Sequence, residues 1–129
     1  MLHGSCLCGA VVVYESAALA SPIGLCHCRT CQEAHASAYA PTAGTPRAGF
    51  KWTKGAGIVT AFESTLGNSR WFCPRCGTHL MAEWRDKDQV ILRAGSLDTP
   101  LDQKPVVHIR TNAMLEAPDG IPKLPEGVR

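Results

Sequence analysis

The sequence predicts a small, mainly β domain, and three observations carry that expectation. Short runs rich in β-branched and aromatic residues recur between glycine and proline breakers. No segment sustains a 3.6-residue apolar period. Seven cysteines fall into three clusters: Cys6-Leu7-Cys8, Cys26-His27-Cys28-Arg29-Thr30-Cys31 and Cys73-Pro74-Arg75-Cys76. Loop-closure entropy opposes pairing between distant strands, and metal ions held by such clusters would tie them together. A chain of 129 residues lies in the one-domain range, so 1–129 is expected to form a single domain.

The elements follow in order. Ala10 to Tyr14 is β-branched and reads as an early strand. Pro22 and Gly24 punctuate the approach to the cysteine triplet, and Thr30 to His35 can form a helical turn. Ser37 to Ala40 reads as a short strand ended by Pro41. Phe50-Lys51-Trp52 and Ile58 to Phe62 flank Gly55-Ala56-Gly57, which predicts a hairpin. Arg70 to Phe72 leads into the last cysteine pair, and Leu80 to Trp84 leads away from it. Gln89 to Arg93 and Val106 to Arg110 complete the strands, and the tail with Pro118, Pro122 and Pro125 reads as irregular.

Thirteen basic and eleven acidic residues give a formal net charge of +2, too small a bias to argue for nucleic acid or membrane partners. No apolar stretch approaches a membrane span. Ala18-Leu19-Ala20 looks like a cleavage site, but no Lys or Arg precedes it and Glu15 interrupts the apolar run, so no export signal is expected. A soluble, cytoplasmic protein with reduced thiols follows. Seven is also an odd number for disulfides, which need an oxidising compartment. Iron–sulfur clusters are the other use of such thiolates, and zinc is the reading the spacing favours.

Counting divides the cysteines. Two pairs, Cys6 with Cys8 and Cys73 with Cys76, make a four-thiolate cage that closes a tetrahedral zinc. The triplet left over makes a three-thiolate site with one open position. In an extended segment residues i and i+2 face one side, which would align Cys6 with Cys8 and Cys26 with Cys28. Cys73-Pro74-Arg75-Cys76-Gly77 has the form of a zinc knuckle. Two zincs per chain are therefore expected, the second more labile because its site is one ligand short.

These motifs carry a family resemblance. Gly4-Ser5-Cys6-Leu7-Cys8-Gly9-Ala10-Val11, the triplet segment, and Arg70-Trp71-Phe72-Cys73-Pro74-Arg75-Cys76-Gly77-Thr78 with Leu80 resemble the glutathione-dependent formaldehyde-activating enzyme family, which includes the centromere protein V domain. Weaker echoes lie at Gly95-Ser96-Leu97-Asp98, Pro105 to Ile109 and Asp119 to Pro122, so the resemblance spans about residues 4–122. It implies a β-tent of small antiparallel sheets around zinc. It also implies a structural zinc on Cys6, Cys8, Cys73 and Cys76, and a catalytic zinc on Cys26, Cys28 and Cys31. The implied activity is that of a carbon–sulfur lyase, condensing glutathione with formaldehyde to S-hydroxymethylglutathione. The chain departs from the family pattern at Gln32-Glu33, at His35-Ala36 where a glycine is usual, and at Met114-Leu115.

A zinc on three thiolates carries a formal charge of −1, a weaker Lewis acid than a three-histidine zinc but able to lower the pKa of a bound thiol. The expected role is delivery of a thiolate to an aldehyde carbon, with polarisation of the aldehyde oxygen as the alternative. A non-catalytic zinc module that binds a protein or small-thiol partner is the second class of function. It should show an exposed apolar or strongly charged patch.

Other polar and aromatic residues have a plain reading beside a functional one. His27 should face away from its flanking ligands, His35 could complete the triplet or simply pack, and His108 reads as a core-edge residue. Asp98 reads as a turn residue, and Trp52, Trp71 and Trp84 as core or pocket wall. Arg29 and Arg70 could meet the carboxylates of glutathione or be solvated.

Overall fold

The computed structural model describes residues 1–9 and 12–115. The start of the first expected strand and the proline-rich tail, with the Asp119 to Pro122 echo, lie outside the described residues. The fold is mainly β, with two sheets and one α-helix among the described residues. No described helix is long and apolar enough to cross a membrane.

A three-stranded sheet is formed by β1 (Leu2–Ser5), β2 (Val13–Ser16) and β5 (Lys51–Lys54), in the order β1-β2-β5. A seven-stranded sheet holds β3 (Gly24–Cys26), β4 (Ala40–Pro46), β6 (Thr60–Thr65), β7 (Asn68–Phe72), β8 (His79–Trp84), β9 (Gln89–Arg93) and β10 (Val107–Ile109). Its order is β10-β3-β4-β9-β8-β7-β6. The helix α1 (Arg29–His35) matches the expected helical turn.

Two expectations about pairing are corrected. The Phe50 to Phe62 hairpin does not form, because β5 pairs with β2 and β6 pairs with β7. The Gly55 turn, at φ 77°, carries the chain from one sheet to the other, and Val59 just beyond it is buried in the core. Burial of Val59 and Trp52 outweighs local turn chemistry. Pro41 also does not end the fourth strand, which runs from Ala40 through Pro46. Residues 40–42 pair with β3 and residues 42–46 with β9. Each proline thus sits where β4 has a neighbour on one side only, the place where a missing N–H costs no ladder bond.

The core gathers Val12, Tyr14, Leu80, Met81, Val90 and Leu92 between the two sheets, with Phe50, Trp52 and Trp71 packed against it. The Tyr14 hydroxyl, deep in this core, lies 2.7 Å from Ser96 Oγ. Gly4 pairs with Tyr14 across β1 and β2, and a Cβ at Gly4 would collide with the tyrosine ring.

Register sorts the large sheet into two faces. Met81 pairs with both Trp71 and Leu92, and all three belong to the core. Ala82 pairs with Arg70 and Ile91, and these line a cavity on the other face. Strand alternation therefore sends the aromatic and aliphatic set one way and Arg70 and Arg93 the other.

Candidate metal centres and cavity

The structure brings together the two cysteine groups expected from counting. Cys6, Cys8, Cys73 and Cys76 form one group, and Cys26, Cys28 and Cys31 the other; within each, the sulfurs lie within 4.8 Å of one another. Seven sulfurs gathered this way, with no described histidine or carboxylate in either set, form soft donor sites that fit zinc.

In the four-cysteine group the first pair is not extended, which corrects the strand-face expectation. β1 ends at Ser5, and the Gly9 N–H donates to the Cys6 carbonyl at 2.8 Å, closing a turn with Gly9 at φ 70°. That turn sets the Cys6 and Cys8 sulfurs 3.3 Å apart. The second pair sits in the expected knuckle: Gly77, at φ 78°, donates its N–H to the Cys73 carbonyl at 2.8 Å. The two turns are tied by the Leu7 N–H, which donates to Thr78 Oγ1 at 2.8 Å.

The Thr78 hydroxyl and the backbone N–H groups of Cys8 and Thr78 push the Cys76 thiol down to about 5. Cys8 is pushed up to about 12, chiefly by its hydrogen bond with Cys6 and then by burial. Sulfurs this close cannot all ionise without a cation among them, and a divalent metal would remove that conflict.

The triplet is assembled by the junction of β3 and α1. Cys26 ends β3, and Cys28 is the N-cap of α1, its sulfur accepting the Cys31 N–H at 3.3 Å. The next turn of backbone brings Cys31 round to the same side, as its three-residue spacing predicts. Burial pushes the Cys26 thiol up to about 11. Burial also acts on Cys28, but the Cys31 N–H, the neighbouring sulfurs and Arg70 bring its thiol below the ordinary value.

This group opens on a cavity of about 430 Å³. Its walls include Thr42, Asn68, Arg70, Trp84, Ile91 and Arg93, with Ile109 and Arg110 contributed by the C-terminal segment. All three cysteines of the triplet line this chamber, whereas the four-cysteine group lies nearer the surface, with Cys6 and Cys73 buried, Cys76 half-buried and Cys8 exposed.

Arg70 is buried rather than solvated. Its Nε donates to Ser64 Oγ at 2.8 Å, and its Nη1 lies 3.7 Å from Cys31 Sγ. Arg29 points elsewhere, donating to Gln32 Oε1 and pairing with Glu33 at 2.9 Å. Arg93 is equally buried at the same wall, and sequence reasoning missed it. The available signal was a cation closing the apolar run Val90-Ile91-Leu92 with the parity of Ile91.

The histidines take supporting places. His27 faces away from the cysteines as expected, buried, with its Nε2 2.8 Å from His108 Nδ1. His35 lies outside the triplet and packs on His79 with ring centroids 4.6 Å apart. Burial, helped by Arg93, His79 and Arg70, pushes its pKa down to about 3 and keeps it neutral. Asp98 donates its backbone N–H to the His3 carbonyl at 2.8 Å, beside the Gly4–Leu97 bridge that joins this segment to β1. Trp52 and Trp71 pack on the core and Trp84 on the cavity wall. Gln32, one of the departures from the family pattern, bridges the His27 and Ala113 carbonyls at 3.0 and 2.7 Å.

Comparison with known proteins gives the fold and the family. The chain superposes on a crystal structure of a Rhodobacter sphaeroides protein, a structural genomics target, with a TM-score of 0.67 and 23% sequence identity. The match covers 82% of this chain and 98% of that one, and it shows a shared fold. No curated protein matches the sequence. The profile of the glutathione-dependent formaldehyde-activating enzyme family matches residues 1–113, which contain all seven cysteines and every cavity-lining residue named above. The chain belongs to the glutathione-dependent formaldehyde-activating enzyme family.

Proposed function

We propose that this protein is a zinc-dependent carbon–sulfur lyase that joins a small thiol, glutathione or a close analogue, to formaldehyde or a related aldehyde. The observation that carries the reading is the chamber of about 430 Å³ lined by all three cysteines of the triplet. In this reading Cys6, Cys8, Cys73 and Cys76 hold a structural zinc, and Cys26, Cys28 and Cys31 hold the zinc of the active site. When bound there, zinc supplies a fourth coordination position at which a thiol sulfur loses its proton readily.

The chain's own residues do the remainder. Cys28 and Cys31 are fixed by the helix start, so the open side of the group is held toward the chamber. Arg70 places a positive charge beside Cys31 and stabilises the negative charge of the three-thiolate group. Trp84 and Ile91 give the chamber an apolar wall that limits water. In the reaction the thiol sulfur attacks the aldehyde carbon and the carbonyl electron pair moves to oxygen. That oxygen takes up the proton the thiol lost, so the adduct is a neutral hydroxymethyl thioether.

Metal analysis followed by exchange rates with glutathione and formaldehyde tests the proposal. It expects two zincs per chain, acceleration above the uncatalysed background, and loss of that acceleration in Cys31→Ser. One tightly held zinc with no acceleration would overturn it in favour of a non-catalytic zinc module.

A further inference from the structure

Two cationic side chains are buried beside the three-cysteine group, and only one of them is hydrogen-bonded. Arg70 and Arg93 are each 6% exposed. A buried charge is costly to leave alone, so guanidinium groups at this depth normally face an anion or a full set of acceptors. The ion pairs among the described residues, Arg29–Glu33, Arg47–Glu83, Lys51–Glu15 and Arg85–Glu63, all lie elsewhere. Arg70 has Ser64 Oγ and Cys31 Sγ. Arg93 has no such partners: its Nε is buried without a hydrogen bond, and its guanidinium donates to no described residue.

The thiolates of Cys31, Cys26 and Cys28 attract Arg93 through space, yet it makes no hydrogen bond to any of them, so its N–H groups remain available on the chamber wall. Asn68 Oδ1 is also buried without a partner and lines the same chamber. A carboxamide can turn its N–H₂ to an acceptor, so two polar groups there await a ligand. Trp84 and Ile91 complete a wall suited to a short methylene chain.

We propose that Arg93 is a carboxylate-binding, specificity-determining residue: it takes the carboxylate of a small thiol whose sulfur is held at Cys26, Cys28 and Cys31. The chamber thereby selects carboxylate-bearing thiols over neutral thiols of the same length. This inference rests on the reading of the triplet as a thiol-binding zinc site.

Calorimetric titration of the zinc-loaded protein with 3-mercaptopropionate and with 2-mercaptoethanol tests it, because each probe has two methylenes between sulfur and polar end. The carboxylate probe is expected to bind about ten- to a hundredfold more tightly, the range of a charge-assisted hydrogen bond. Arg93→Gln should lose most of that preference, and Arg93→Lys should keep part of it. Equal affinities in the wild-type protein, or an undiminished preference in Arg93→Gln, would overturn the inference. Failure of both thiols to bind, with both zincs retained, would instead overturn the thiol-site reading beneath it. The wild-type comparison requires no variant, so it stands even if removing Arg93 prevents folding.

Discussion

His27 Nε2 and His108 Nδ1 lie 2.8 Å apart although 81 residues separate them in the chain. The bond stands where β10 runs parallel to β3, with His108 paired to Leu25 and Ile109 to Cys26. It fastens the segment that carries Ile109 and Arg110 into the chamber wall onto the strand that ends at Cys26. His108→Ala would leave both ring nitrogens of His27 without partners, since Nδ1 already has none. A loss of about 1–3 kcal/mol is expected from an unsatisfied buried group. Denaturant unfolding measures the loss, and hydrogen exchange should rise over residues 107–109.

The two cysteine groups should part with metal in order. The four-cysteine group joins turns 65 residues apart in sequence, as between Cys8 and Cys73, and supplies a full tetrahedral set. The triplet supplies three sulfurs and opens on a chamber. A chromophoric chelator should therefore remove one zinc quickly with the fold intact and the second only with unfolding. Cys31→Ser should abolish the fast phase, and Cys73→Ser should abolish cooperative unfolding.

Arg70→Met should separate chemistry from folding. The side chain reaches Cys31 Sγ at 3.7 Å and Ser64 Oγ at 2.8 Å. Removing a partner of a metal ligand typically costs about 10- to 100-fold in activity or metal affinity. That range is expected for the acceleration of the thiol–aldehyde reaction and for zinc retention at the triplet. Arg29→Met, at an exposed pair with Glu33, should change neither appreciably.

His35 gives the stability a defined acid dependence. Burial holds its folded pKa at about 3 against an ordinary 6.5, helped by Arg93 and His79. Above pH 6.5 the ring is neutral in both folded and unfolded chains, and the full stability is present. As pH falls from 6.5 towards 3 the unfolded chain takes up a proton that the folded one refuses, and stability is lost. His35→Gln lacks that loss, so its stability relative to wild type should rise as pH falls through this window. Urea unfolding of both proteins at each pH measures the difference, which cancels acid effects common to the two.

Ala36 ends α1 in the left-handed region, at φ 48° and ψ 45°, with its N–H bonded to the Gln32 and Glu33 carbonyls. A side chain there costs roughly 1–2 kcal/mol, whereas glycine adopts the conformation freely. Ala36→Gly should stabilise the protein by about 0.5–1 kcal/mol once the extra chain entropy of glycine is included. Thermal unfolding at fixed zinc content checks it.

The metal groups were legible in the sequence because their geometry is local. A two- or three-residue spacing delivers neighbouring sulfurs whether the backbone is extended, as at Cys26 to Cys28, or turned, as at Cys6 to Cys8. The four-cysteine group therefore forms although the Cys6 to Cys8 backbone is turned rather than extended. Strand identity was also largely local: Gln89 to Arg93 is observed with the expected ends, and Arg29–His35 contains the expected helical turn. Pairing was not. The turn at Gly55 would serve a hairpin or a crossing between sheets equally well, and burial of Val59 and Trp52 chose the crossing. The parallel seating of β10 on β3 likewise depends on a bond between His27 and His108 that no local spacing announces.

By itself the sequence determined a mainly β chain, a division of seven cysteines into four and three, and membership of a formaldehyde-activating family. These depend on residue type and short spacing, which the chain carries wherever it folds. Only the tertiary structure decided that the triplet lines a chamber and which charges stand beside it. Arg70 and Arg93 come from strands that are not neighbours, since β8 lies between β7 and β9. Their shared face follows from the register of Ala82 with Arg70 and Ile91, and a one-residue slip of β7 or β9 would send that strand's arginine into the core.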